Sequence, residues 1–196
     1  IYLADGEAKK PVLVFSHANG STADQFPLKV WNDLKKAGVS AISWESVPQL
    51  KNLSEYQTCQ EDFRSVLDWV ENNSEKYGFD LENIIICGRS RGSIVTWSAL
   101  HTYPEKFRGA YMTQALPKGG WNIRDFTKDV TPESPALFLA YAENLDTSDG
   151  HTPLNGLKIK KAYEFNGITD QFRFEHSLGK PDLYKHLMGF IQKIVE

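Results

Sequence analysis

The chain has 196 residues, 41% hydrophobic and 24% charged, a length and balance that suit one soluble globular domain spanning 1–196 with a substantial core. A net charge of −3 leaves no basic footprint for nucleic acid, and no apolar run is long enough to span a membrane. Two cysteines exclude a disulfide scaffold and a structural zinc site, and with neither a cysteine-pair motif nor clustered ligands no metal or redox cofactor is expected. No signal peptide and no initiator methionine are visible, as in a processed form. Cytoplasmic and secreted or periplasmic locations both stay open.

In chain order, PVLVFSH (11–17) reads as a buried strand and ADQFPLKVWNDLKKAG (23–38) as a helix that stops at Gly38. VSAISW (39–44) is a second strand. The segment 54–78 is a long helix, with Ser54 as its cap and Cys59, Phe63, Val66, Leu67 and Val70 at helical spacing. IIIC (84–87) is a third strand, followed by a helix from Arg91 to Tyr103 that Pro104 closes. Strands at 109–116, 136–142 and 171–176 follow, and a last helix begins near Pro181. IYLA at the start could add a strand. Strands alternating with helices predict a mostly parallel sheet covered on both faces, an α/β fold whose ligands sit at the carboxyl ends of the strands. Cys59 and Cys87 could both lie near that edge; they read as free buried thiols, with a bridge as the alternative.

Between the third strand and its helix stands Gly88-Arg89-Ser90-Arg91-Gly92, a G-x-S-x-G pattern. A serine on so sharp a turn has a strained backbone, and glycines two residues to either side avoid collision. A serine hydroxyl needs a base beside it. His101 and His186 lie within helices, and His17 belongs to another motif. His151 lies in a loop that no strand fixes. His176 directly follows the last strand and is the expected base. The acid that orients it is expected from ENLDTSDG after the strand 136–142, which offers Glu143, Asp146 and Asp149. Asp146 fits the distance from the strand end, and Asp149 competes with it.

The order Ser90, Asp146, His176 and the strand–turn–helix setting resemble the α/β-hydrolase superfamily, in particular small carboxylesterases of the dienelactone-hydrolase type. The resemblance covers nearly the whole chain. It implies the α/β-hydrolase fold and a hydrolase without cofactor acting on a small-molecule ester; the segment KGGWNIRDFTKD (118–129) is too short for a large cap, so the cap is expected to be minimal. VFSHANGS matches the family's oxyanion strand end, with Ala18 where glycine is usual. The backbone N–H groups of Asn19 and Arg91 are then the expected oxyanion donors, and His17 is structural.

Arg89, Trp44 and Trp121 are candidate substrate contacts. The Arg91 side chain could reach an anionic or uronic-acid substrate; alternatively both arginines pair with carboxylates and hold the turn. The expected activity is hydrolysis of short-acyl, aryl or carbohydrate esters through an acyl-enzyme. Alternatives are a thioesterase, a small peptidase, or a non-catalytic binding protein of the same fold.

Overall fold

The fold is described from a computed structural model, which places residues 1–116, 126–143, 145, 150–179 and 181–196. Trp121, Asp146 and Asp149 lie outside these described residues.

Six strands form one all-parallel sheet: β1 (Lys10–Ser16), β2 (Ser40–Trp44), β3 (Phe79–Arg89), β4 (Gly109–Thr113), β5 (Ala136–Tyr141) and β6 (Phe172–His176), in the order β2-β1-β3-β4-β5-β6. The register aligns Trp44 with Ser16, Ser16 with Gly88, Arg89 with Thr113, and Tyr141 with His176. Every strand therefore delivers its last residue to the same edge, where a ligand would meet it. IYLA contributes only a single antiparallel bridge, Tyr2 to Ala41.

Alternation along each strand divides the core in two. Val12, Val14, Ile84 and Ile86 face one layer, covered by α2 (Leu53–Asn72), α4 (Arg91–Thr102) and α5 (Pro153–Phe165). Leu13, Phe15, Ile85 and Cys87 face the other, covered by α1 (Leu28–Lys36) and α6 (Leu187–Val195). Cys59 and Cys87 consequently lie on opposite sides of the sheet, both buried and unbridged. No helix among the described residues is long and apolar enough to cross a membrane.

Several boundaries depart from the expected ones. The helix expected over 23–38 is split: Pro27 holds Phe26 extended (φ −69°, ψ 126°), so α1 begins only at Leu28 after a short 3-10 turn. The cap of α2 is Asn52, whose side chain accepts the N–H of Glu55, rather than Ser54. That helix ends at Asn72, and a further turn, α3 (Ser74–Tyr77), closes on Gly78 in the left-handed region. The last helix starts at Leu187, six residues after Pro181. The sequence reading assigned no helix to 153–165, where α5 lies. Its start is nevertheless well marked, by the Thr152 side chain accepting the N–H of Leu154 and by Pro153 in the first turn.

Candidate active site

Ser90 sits between β3 and α4 with φ 49° and ψ −117°, a conformation that L-residues rarely adopt and that costs about 1–3 kcal/mol. Its surroundings hold it there. The Ser90 N–H donates to the Thr113 carbonyl (3.0 Å), and the Ser90 carbonyl accepts from the N–H and Oγ of Ser93 (2.9 and 2.5 Å). Ser93 Oγ in turn accepts the N–H of Leu116 at 2.6 Å, tying the turn to the end of β4. Nothing in the sequence pattern had singled Ser93 out.

The flanking glycines have separate reasons. A Cβ on Gly92 would stand 2.1 Å from the Ser16 carbonyl oxygen and 2.7 Å from that of His17. The helix thus enters directly against the end of β1. A Cβ on Gly88 would lie 2.5 Å from Thr96 Oγ1 and 2.8 Å from the Gly92 backbone.

The imidazole at Ser90 belongs to His151, with Nε2 2.8 Å from the serine Oγ. It immediately precedes the cap of α5, and this stretch is fastened by Thr152 Oγ1 donating to the Leu145 carbonyl and Asn155 Nδ2 donating to the Gly150 carbonyl. The expected base, His176, is placed differently. It ends β6 as anticipated, but its Nε2 lies 2.7 Å from the Glu143 carbonyl oxygen. The structure therefore pairs Ser90 with His151 and engages His176 elsewhere. The physical reason is that the start of a helix can fix a side chain as firmly as the end of a strand. His101 binds the Trp97 carbonyl through Nδ1, and His186 pairs with Glu175, both away from Ser90.

Of the acids in the loop after β5, Glu143 is held by Gln114, whose Nε2 donates to Glu143 Oε1 at 2.8 Å. Gln114 Oε1 also accepts the Ala142 N–H at 2.7 Å. Gln114 directly follows β4 at φ 50°, the second non-glycine residue with positive φ among those described. Both strained residues lie at the carboxyl edge of the sheet. The expected acids Asp146 and Asp149 fall outside the described residues.

At the end of β1, the Ala18 N–H is taken by Gln25 Oε1 (2.6 Å) and the Asn19 side chain accepts the Leu50 N–H (2.8 Å). The backbone N–H of Asn19 and that of Arg91, in the first turn of α4, have no hydrogen-bond partner among the described residues. His17 is buried, and its Nδ1 lies 2.8 Å from the Ala18 carbonyl. Burial, with a smaller contribution from the Arg91 charge, pulls its pKa below the ordinary value, while the Ala18 bond opposes the shift.

The two arginines part company. Arg91 is buried and aims at the Val47 carbonyl and the His17 ring, while Arg89 stays partly exposed and its charge acts on the Tyr184 hydroxyl. Neither forms an ion pair among the described residues. Trp44 is a core residue: it is 8% exposed, packs on Phe63 (ring centroids 5.4 Å apart) and donates its indole N–H to Ser16 Oγ. Trp121 lies outside the described residues. Among the described residues no group of three or more His, Cys, Asp or Glu side chains is arranged to hold a metal.

No family model and no curated protein matches the chain. Solved structures do. A lipase/esterase from Lactobacillus plantarum superposes with a TM-score of 0.75 at 15% identity, covering 98% of this chain and 90% of that one. Esterase 2 of Thermogutta terrifontis, solved phosphoramylated by tabun, gives 0.72 at 12% identity, covering 99% and 86%. A fluorophosphonate-binding serine hydrolase of Staphylococcus aureus gives 0.66 at 14% identity, covering 98% and 86%. The sheet order, the helices on both faces and these superpositions are those of the α/β-hydrolase fold.

Proposed function

We propose that this chain is a serine hydrolase that cleaves carboxylic esters through an acyl-enzyme. One observation carries the reading: Ser90, held at φ 49° on a strand-to-helix turn, has its Oγ 2.8 Å from an imidazole nitrogen. That is the arrangement in which a hydroxyl is both exposed and activated. Ser90 Oγ attacks the carbonyl carbon as its proton passes to His151 Nε2. The resulting oxyanion accepts hydrogen bonds from the N–H groups of Asn19 and Arg91, each worth about 10²–10³ in kcat. Collapse expels the alcohol, which takes the proton from Nε2. Water, deprotonated by the same nitrogen, then releases the acid and restores Ser90. Asp146 or Asp149, just ahead of His151 in sequence, would orient the imidazole. Short-acyl, aryl or carbohydrate esters are the substrate class.

A second reading keeps His176 as the base, with Asp146 as its acid. It is favoured by the position of His176 at the end of β6, beside the loop that begins at Glu143.

Labelling with a fluorophosphonate, followed by peptide mapping, tests both readings. The S. aureus neighbour is named for binding such a probe. Wild type is expected to label at Ser90, with loss in Ser90→Ala and a fall of about 10²–10⁴ in rate in His151→Ala but not in His176→Ala. The opposite histidine pattern would assign the base to His176. A folded protein that labels at neither rate, and cleaves nothing in a panel of esters, thioesters and peptides, would refute the hydrolase reading and leave a binding protein.

A further inference from the structure

Arg91 presents an unusual arrangement. Its side chain is 4% exposed, yet it meets no carboxylate among the described residues. A buried cation without a counter-charge is costly, so its contacts should have a purpose. Nη1 donates to the Val47 carbonyl, and Nη2 stands 3.0 Å from His17 Nε2 and 3.1 Å from Nδ1. The Ala18 carbonyl 2.8 Å from His17 Nδ1 fixes the ring proton on that nitrogen. Nη2, almost equidistant from both ring nitrogens, contacts the imidazole as a whole and not one nitrogen alone.

These contacts join two loops. One follows β1 and contains Ala18, Asn19 and Gly20; the other follows β2 and contains Val47, Pro48 and Leu50. The loops are also joined directly, by Gly20 N–H to the Pro48 carbonyl (2.8 Å) and Leu50 N–H to Asn19 Oδ1 (2.8 Å). One arm of the guanidinium grips each loop. The backbone of the same residue carries the N–H assigned to the oxyanion hole on the helix side. A single residue thus touches both loops with its side chain and carries one of the two proposed donors on its backbone.

We propose that the Arg91 side chain is a positioning residue that sets the oxyanion loop against the nucleophile turn, acting through His17 and the Val47 carbonyl and not on substrate. Its catalytic meaning rests on the serine-hydrolase reading; its structural part does not. Arg91 therefore supplies backbone to the reaction and side chain to the scaffold. Glycine approach at position 92 and the cation at position 91 hold the same strand end from two directions.

The test combines amide hydrogen exchange with steady-state kinetics on Arg91→Met, Arg91→Lys, His17→Gln and the double variant Arg91→Met/His17→Gln. In Arg91→Met, protection at the Gly20 and Leu50 amides should fall at least about tenfold, with the β3 core amides unchanged. Ester turnover should lose about 10–100-fold in kcat, the cost of an oxyanion donor displaced by about an ångström, with KM within about twofold. Arg91→Lys should recover part of the loss, because it keeps the cation but only one arm. The double variant should be no worse than the poorer single variant, as expected for residues acting as one unit. Unchanged protection, additive losses, or a rise in KM at constant kcat would each overturn the proposal. If Arg91→Met does not fold, Arg91→Lys and His17→Gln carry the same two measurements. If wild type cleaves no ester, the hydrolase reading falls on that result, and the exchange data alone decide whether Arg91 positions the loop.

Discussion

The substitution Gly92→Ala tests the Ser90 turn most directly. An added Cβ would stand 2.1 Å from the Ser16 carbonyl oxygen, 2.6 Å from the Ser16 carbonyl carbon and 2.7 Å from the His17 oxygen. All three are backbone atoms. They belong to the end of β1, which pairs on one side with β2 and on the other with β3. No rotamer change can relieve the overlap, so α4 must withdraw by about an ångström or the strand must bend. Overpacking of this kind costs about 1–3 kcal/mol, and a rigid backbone contact belongs near the upper end. For a chain of this length about 3 kcal/mol lowers Tm by roughly 6–12 °C. Ser90 moves with the first turn of α4, and on the serine-hydrolase reading proposed above a shift of about an ångström there costs about 10²-fold in rate. Gly88→Ala makes the comparison: its closest clash, 2.5 Å, is with the Thr96 hydroxyl, a side chain. Adding Thr96→Ala should recover part of the stability of Gly88→Ala and none of that of Gly92→Ala. Thermal unfolding by circular dichroism and the rate of Ser90 phosphonylation measure both effects. A Gly92→Ala protein that melts within about 2 °C of wild type and labels at the wild-type rate would refute the close approach of β1 and α4.

Two further outcomes are expected. In α5, a Cβ on Gly156 would meet the Phe174 ring at 2.3 Å and Tyr141 at 3.0 Å, so Gly156→Ala should cost about 1–3 kcal/mol and lower the labelling rate, since the start of α5 carries His151. Phe174→Leu in the same chain should restore part of both, and an undisturbed labelling rate in Gly156→Ala would detach His151 from the packing of α5. For His17, burial first and then the Arg91 charge lower the folded pKa from an ordinary 6.5, against a raising effect of the Ala18 carbonyl and of Glu45. Below that pH the unfolded chain takes up a proton that the folded chain refuses, so the stability tied to His17 is complete above 6.5 and is lost as pH falls through the folded pKa. Urea unfolding between about pH 7.5 and 5 should show a steeper acid decline for wild type than for His17→Gln. Equal slopes would remove His17 from the acid sensitivity.

The Ser90 turn was legible because everything that makes it is local: an apolar strand, two glycines at fixed spacing and a helix. The packing behind Gly92 was not, since the Ser16 carbonyl comes from a strand more than seventy residues earlier in the chain. Trp44 shows how a pattern can be read correctly and still mislead. Its position at the end of a strand suggested a substrate contact, yet it shares a sheet face with Ile42, so alternation alone turns its indole toward α2 and Phe63.

His151 was harder, for a reason that lies in α5. Ile159 and Tyr163 are buried in that helix, while Leu154 and Leu157 are 45% and 39% exposed, so its apolar residues mark no single face. With the helix unseen, His151 stood in a loop without anchor, and the rule that a catalytic base follows a strand pointed to His176. Both histidines are in fact anchored, one by a helix start and one by the final strand, and they differ in which partner that anchor presents. The Thr152 cap holds the turn in which His151 reaches Ser90 Oγ, whereas the parallel pairing of β6 with β5 sets His176 beside the Glu143 carbonyl. The residue whose carbonyl meets His176 Nε2 is itself held by Gln114, whose side chain binds both Glu143 Oε1 and the Ala142 N–H. On the serine-hydrolase reading proposed above, this anchorage of Glu143 keeps His176 Nε2 on a backbone carbonyl while His151 is the imidazole at Ser90.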